Sequence, residues 1–167
     1  TFDDGYRSMQ TLVQHLLQRF DYPAVLFVPT GFVGRSNEFD AGIEPPEPIC
    51  DWADLRELGR QGISVQSHGV SHRRLSELSW VEVREEIERS KRELEAGLDR
   101  PVEAIAYPYG DAGDQADELD RLLEASGYRA GFLYGGGTLK VEGADRFRLT
   151  RLAMGPDSDL GSLLEAK

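Results

Sequence analysis

The chain has one cysteine, Cys50, in 167 residues. An internal disulfide framework is therefore excluded, and packing and polar contacts must hold the fold. Long apolar runs are missing too: nothing approaches the roughly 20 residues of a membrane-spanning helix. No charged-then-apolar leader opens the sequence. That absence does not locate the chain inside or outside the cell, because Thr1–Gly5 reads as the end of a strand with no strand body before it. Residues 1–167 are expected to form a single domain, cut from a longer chain that is either secreted or cytoplasmic. Positive charge is scarce as well, with 19 Lys and Arg against 30 Asp and Glu and a formal charge of −11. A nucleic-acid or anionic-membrane partner would be repelled by that field. There is no internal repeat, heptad run or low-complexity tract, and nothing sets the oligomeric state.

What remains suits a globular chain, with 40% hydrophobic and 9% aromatic residues. Short apolar runs alternate with amphipathic stretches. Ser8 to Phe20 places Met9, Leu12, Val13, Leu16 and Leu17 on one helical face. Ala24–Val28 is a continuous apolar strand, as expected where both faces are covered. Residues 29–50 form a long Gly- and Pro-rich loop. A helix from Asp51 to Gln61, with Asp51 as its cap, leads to a strand over Ile63–Ser67. Ser79 and Glu82 have capping-box spacing at the head of a helix running to Leu98, whose buried stripe is Val83, Ile87 and Leu94. Strands over Val102–Ala106, Ala130–Tyr134 and Phe147–Leu152, with a helix over Gln115–Ser126, complete the pattern. The alternation predicts an α/β fold with a largely parallel sheet, and the length favours a small or distorted barrel.

Three polar clusters each follow a predicted strand, the edge where parallel α/β folds collect ligands. Asp3 and Asp4 are adjacent carboxylates that point in different directions, so one can bind a metal while the other stays free as a base. Alone, they also read as a capped Asp-Gly turn. His68-Gly69-Val70-Ser71-His72 holds two of the three histidines in the chain. Imidazoles four residues apart can meet one ion, although an H-x-x-x-H spacing is common by chance. Together, one carboxylate and two imidazoles leave open positions on a divalent ion, the pattern of a catalytic site. Such an ion polarises a carbonyl and acidifies water, and the spare carboxylate takes the proton. In Tyr107-Pro108-Tyr109-Gly110, Pro108 and Gly110 fix a turn whose backbone N–H can face an oxyanion. The aromatics Tyr6, Trp52, Tyr107 and Tyr109 can line a groove for a sugar or close a small pocket. His15, Trp80 and Cys50 receive no role.

In this order, the three segments resemble the polysaccharide deacetylases of carbohydrate esterase family four, the NodB homology domain. Thr1–Gly5 matches the first motif, T-F-D-D-G, at every position. His68 to His72 matches the H-(S/T)-x-x-H spacing with Gly69 in place of the hydroxyl residue. Ile105 to Gly110 matches the F-A-Y-P-Y-G form of the third motif with Ile for Phe. The resemblance spans nearly the whole chain and implies a distorted (β/α)7-type barrel lacking part of its first strand. It also implies a divalent ion, usually zinc, on Asp4, His68 and His72, with Asp3 as base and the Tyr109 N–H in the oxyanion hole. Substrate contacts are expected from Tyr107, Pro108, Tyr109, Gly110 and Trp52. The implied reaction is removal of an acetyl group from an acetylated sugar of the N-acetylglucosamine type or a related glycan.

Two departures from the family stand out. Ala106 occupies the position of an arginine that braces the base, and no histidine follows His72 to serve as general acid. Arg151, ending the last strand, is expected to reach Asp3 and replace the brace. Two other readings stay open: an amidohydrolase of the same fold acting on a small amide, and a non-catalytic glycan-binding relative.

Overall fold

The computed structural model describes residues 1–138, 142–155, 157–159 and 161–162. Five parallel strands stand in sequence order: β1 (Ala24–Val28), β2 (Ile63–Ser67), β3 (Ala104–Ala106), β4 (Ala130–Gly136) and β5 (Leu149–Arg151). An order without reversal is that of a barrel wall, where a doubly wound sheet would switch direction. Phe2 extends the wall beyond β1: its N–H donates to Val25 O at 2.8 Å and its carbonyl accepts from Phe27 N at 2.8 Å. Among the described residues the ladder does not close, and five strands plus the Phe2 bridge stand against the seven units expected.

The strands begin and end where local groups dictate. Val102 lies outside β3 because its N–H donates to Glu95 Oε1, at 3.0 Å. The N–H groups of Glu103 and Ala104 go to Gln66 Oε1, so side chains occupy the first ladder positions. The helices are α1 (Met9–Leu12), α2 (Gln18–Phe20), α3 (Trp52–Arg60), α4 (Trp80–Leu98) and α5 (Ala116–Ala125). Asp51 caps α3 by accepting from Ala53 N and Asp54 N. The continuous helix expected over Ser8–Phe20 is instead broken by a π-helical turn, Val13–Leu17. One extra residue per turn rotates the remaining helical residues by about 100°. Leu16 consequently faces solvent, 47% exposed, while Leu17 stays half-buried. The side chain of Val13, assigned to the same stripe, lies outside the described residues.

The core is sealed between the strands and the three long helices. Leu26, Ile105, Leu55, Ile87, Leu94 and Leu123 are fully enclosed. Each contributes roughly 1.5–3 kcal/mol of burial. This packing turns the carboxyl ends of the strands toward one rim, where all three polar clusters emerge. No described helix is long and apolar enough to cross a membrane.

Candidate active site

Each cluster turns sharply off the end of its strand through a left-handed residue: Asp4 (φ 68°), His72 (φ 55°) and Tyr109 (φ 58°). A non-glycine residue in that region costs about 1–2 kcal/mol and persists only where its surroundings enforce it. The turn after β3 is a 3₁₀ segment, Pro108–Gly110. Its Gly110 is irreplaceable in shape: φ is 71° and a Cβ would lie 2.6 Å from Tyr134 N.

Asp4, His68 and His72 bring one ligand atom each within 4.8 Å of one another. Asp4 Oδ1 lies 3.3 Å from His68 Nε2 and 3.0 Å from His72 Nε2. His68 Nδ1 sits 2.8 Å from the Ala106 carbonyl, which accepts only if that nitrogen carries the proton. The neutral ring therefore turns the lone pair of Nε2 toward a carboxylate oxygen. Asp4 Oδ1 and His72 Nδ1 are both buried without a hydrogen-bond partner. The Nε2 atoms of both rings face Asp4 Oδ1, and with its Nδ1 protonated His68 presents a lone pair there, which a proton or a metal ion between the two would satisfy. Ligands about 2.0–2.2 Å from a tetrahedral centre stand roughly 3.3–3.6 Å apart; the Asp4–His68 separation of 3.3 Å meets this and the Asp4–His72 separation of 3.0 Å is slightly shorter. The residues therefore fit a divalent ion. Burial works against ionisation of Asp4, yet hydrogen bonds and positive charge from the two imidazoles, when Nε2 carries a proton, hold its carboxyl well below the usual carboxylate range.

Asp3 points the other way. Arg151 Nη1 and Nη2 each donate to one of its carboxylate oxygens at 2.7 Å, a bidentate fork. The guanidinium is fixed by Nε donating to Leu133 O at 2.8 Å and by the Phe27 ring, 5.4 Å away. This pair spans the two open edges of the sheet. Beside it lies a groove of about 680 Å³ lined by Asp3, Asp4, Tyr6, Met9, Tyr134 and Arg151, among others.

Other expected site residues lie elsewhere. Tyr107 is fully buried, and its hydroxyl donates to Phe147 O at 2.8 Å as a strut between β3 and the approach to β5. Burial raises its hydroxyl pKa far above the ordinary value. No side-chain contact with substrate is open to it, and Pro108 is likewise buried. Trp52 opens α3 and lays its ring on Gly97 of α4, where a Cβ would lie 2.3 Å from the indole. It belongs to the outer helical layer, which corrects its assignment to the site. Tyr109 does reach the rim: it is 42% exposed, with its ring 4.8 Å from that of His72. Its hydroxyl donates to Asp40 Oδ1 at 3.4 Å, and the Arg74 guanidinium lies 4.4 Å from its ring. Tyr6 donates to Glu44 Oε2, and burial pushes its hydroxyl up to about 12.

Phe39 and Glu86 also contact the cluster and its loop, and motif spacing did not reveal them. Phe39 carries the long loop onto His72, ring centroids 4.2 Å apart, and nothing local marks it. Glu86 did carry a signal, because it and Ser90 are polar residues at buried-stripe spacing with Val83, Ile87 and Leu94.

A parallel α/β wall with a carboxylate–imidazole cluster on its carboxyl rim defines the class of fold and site. Comparison supplies the family: the chain belongs to the polysaccharide deacetylase family, whose model matches residues 1–131. A Bacillus subtilis (strain 168) protein provisionally named polysaccharide deacetylase YxkH is 24% identical over 131 residues. That match takes in 78% of this chain and 42% of the relative, so the chain spans under half the length of that protein. The solved Streptococcus pyogenes deacetylase PplD, in complex with acetate, superposes with a TM-score of 0.79 at 24% identity, over 98% of this chain and 67% of that one. A mutant of BA3943, described as a pseudoenzyme of carbohydrate esterase family four, superposes at 0.56 with 17% identity, over 76% of this chain and 41% of that one. At these identities the structural likeness speaks for the fold.

Proposed function

We propose that the chain is a metal-dependent hydrolase that removes acetyl groups from an acetylated glycan of the N-acetylglucosamine type. The observation that carries this reading is the convergence of Asp4, His68 and His72 on one point, with a second carboxylate, Asp3, held apart from them by Arg151 one residue away. Zinc is the expected ion, since imidazole nitrogen and carboxylate oxygen suit it. When bound, the ion supplies Lewis acidity toward the acetyl carbonyl and lowers the pKa of water.

The chain's own residues supply the rest. Asp4 Oδ1 and the two Nε2 atoms hold the ion, with His68 oriented through Ala106 O. Asp3 takes a proton from the attacking water, and Arg151 keeps both carboxylate oxygens aimed. The backbone N–H of Tyr109 stabilises charge on the acetyl oxygen. With no histidine after His72, Asp3 returns its proton to the departing amine, which leaves as acetate is released. Phe39 and the exposed ring of Tyr109 offer apolar faces to a sugar.

Acetate release from N-acetylglucosamine oligomers, before and after chelation and zinc restoration, tests the reading. Chelation should abolish release and zinc should restore it. Turnover confined to small amides would overturn the glycan assignment. A metal-loaded chain with no hydrolysis of either would overturn the enzymatic one.

A further inference from the structure

The two histidines of the cluster are held by different means. His68 has its ring fixed by the Ala106 carbonyl, whereas His72 Nδ1 is buried without a partner. Its ring is set by packing against Phe39 and Tyr109 and by the backbone that carries it in a left-handed conformation. What holds that backbone is therefore what holds the ligand.

The 69–72 loop is clamped from two sides. Two of its carbonyls are taken by the 3₁₀ turn that follows β1: Thr30 N donates to Gly69 O at 3.0 Å, and Gly31 N to Val70 O at 2.9 Å. The Val70 and Ser71 donors go to one side chain from the middle of α4. Glu86 Oε2 accepts from Val70 N at 2.6 Å and Ser71 N at 3.0 Å, and Glu86 Oε1 accepts from Ser71 Oγ at 2.6 Å. Glu86 is 7% exposed, and among the described residues no ion pair involves it. A buried carboxylate without a counter-ion is expensive unless hydrogen-bond donors replace its water, and here the metal loop supplies them. Gly69 makes room for it: φ is 74°, and a Cβ there would lie 2.8 Å from Glu86 Oε2.

We propose that Glu86 is a positioning residue for the metal site, locking the 69–72 loop so that His72 Nε2 faces Asp4 while His72 Nδ1 makes no hydrogen bond. The inference rests on the metal-site reading above. Glutamine can reproduce all three contacts, its carbonyl accepting from the two N–H groups and its amide donating to Ser71 Oγ. Aspartate, one methylene shorter, cannot reach them, and leucine leaves the donors unpaired.

The test measures Zn²⁺ affinity by competition with a chromophoric chelator, and the visible spectrum of the Co²⁺-loaded chain, for wild type, E86Q, E86D and E86L. Far-UV circular dichroism well below each melting temperature confirms folding. E86Q should stay within about threefold of wild type. E86D should bind about 10-fold more weakly and E86L about 10–100-fold, the range typical of lost outer-shell support, both with altered Co²⁺ spectra. Should E86L not fold, E86D and E86Q carry the comparison. A folded E86D or E86L with wild-type affinity and spectrum overturns the role of Glu86 alone. A wild-type chain that takes up neither metal overturns the proposed function and this inference with it.

Discussion

The carboxyl rim of the sheet and the long helix α4 are built by opposite rules. α4 is stabilised by contacts close in sequence. Ser79 and Glu82 exchange cap hydrogen bonds, and Arg89–Glu93 and Lys91–Glu95 pair one turn apart at 2.6 and 2.9 Å. A pair of this spacing contributes only about 0.2–0.5 kcal/mol, but all favour the same helix. The rim is locally unfavourable: three left-handed non-glycine residues and buried acceptors without partners. Contacts far apart in sequence help keep it in place, among them Arg151 to Asp3 and Glu86 to Val70. Local preference builds the scaffold, and the scaffold's packing then imposes on the rim a geometry its own residues would not choose. Substitutions at the rim should therefore change chemistry and ion binding, and those on the helix surface should change stability.

The strongest way to break that division is at Asp3. Asp3→Asn keeps the shape and removes the base, so kcat for acetate release should fall about 10²–10⁴-fold while zinc content stays at the wild-type level. A normal rate would end the assignment of Asp3. Arg151→Ala comes next. It removes a charge-assisted bidentate contact of about 1.5–3 kcal/mol, so kcat should drop about 10–100-fold. Arg151→Lys should recover only part, because an ammonium cannot present the fork. Unchanged kinetics in R151A would mean that Asp3 is held by its strand end alone.

The same division explains what could be read from the sequence. β1 and β2 lie where the apolar runs place them, and Asp51 and Ser79 cap their helices, because those signals are local. Asp3, Asp4, His68 and His72 stood out because adjacent carboxylates and two of the three histidines follow strand ends, and the structure brings the last three together. Tyr107 and Trp52 misled because an aromatic beside a motif looks the same whether it faces a groove or a neighbouring helix; burial beneath Phe147 O and contact with Gly97 decide that only after packing. The π-helical turn at Val13–Leu17 left no periodic trace, since the spacing of Met9 to Leu17 suits a regular helix. Cys50, left without a role, is fully buried, and burial pushes its thiol up to about 12.

The smallest expected effect is the most discriminating, because α4 belongs to both regions. In its first turn Val81 and Glu82 are exposed, while Glu86 one turn later grips the 69–72 loop. Ser79→Ala removes the acceptor for Glu82 N and one half of the capping box. The loss should be about 1 kcal/mol, or about 2–4 °C in melting temperature for a chain of this size. If capping matters only locally, zinc affinity and kcat remain within about twofold of wild type, because the packing of Val83, Ile87 and Leu94 still fixes the height of Glu86 above the loop. Thermal denaturation followed by circular dichroism, run beside the chelator competition, separates the two. A tenfold loss of zinc affinity in S79A would show that the cap sets the position of Glu86, and that scaffold and rim are not independent even at the far end of the helix.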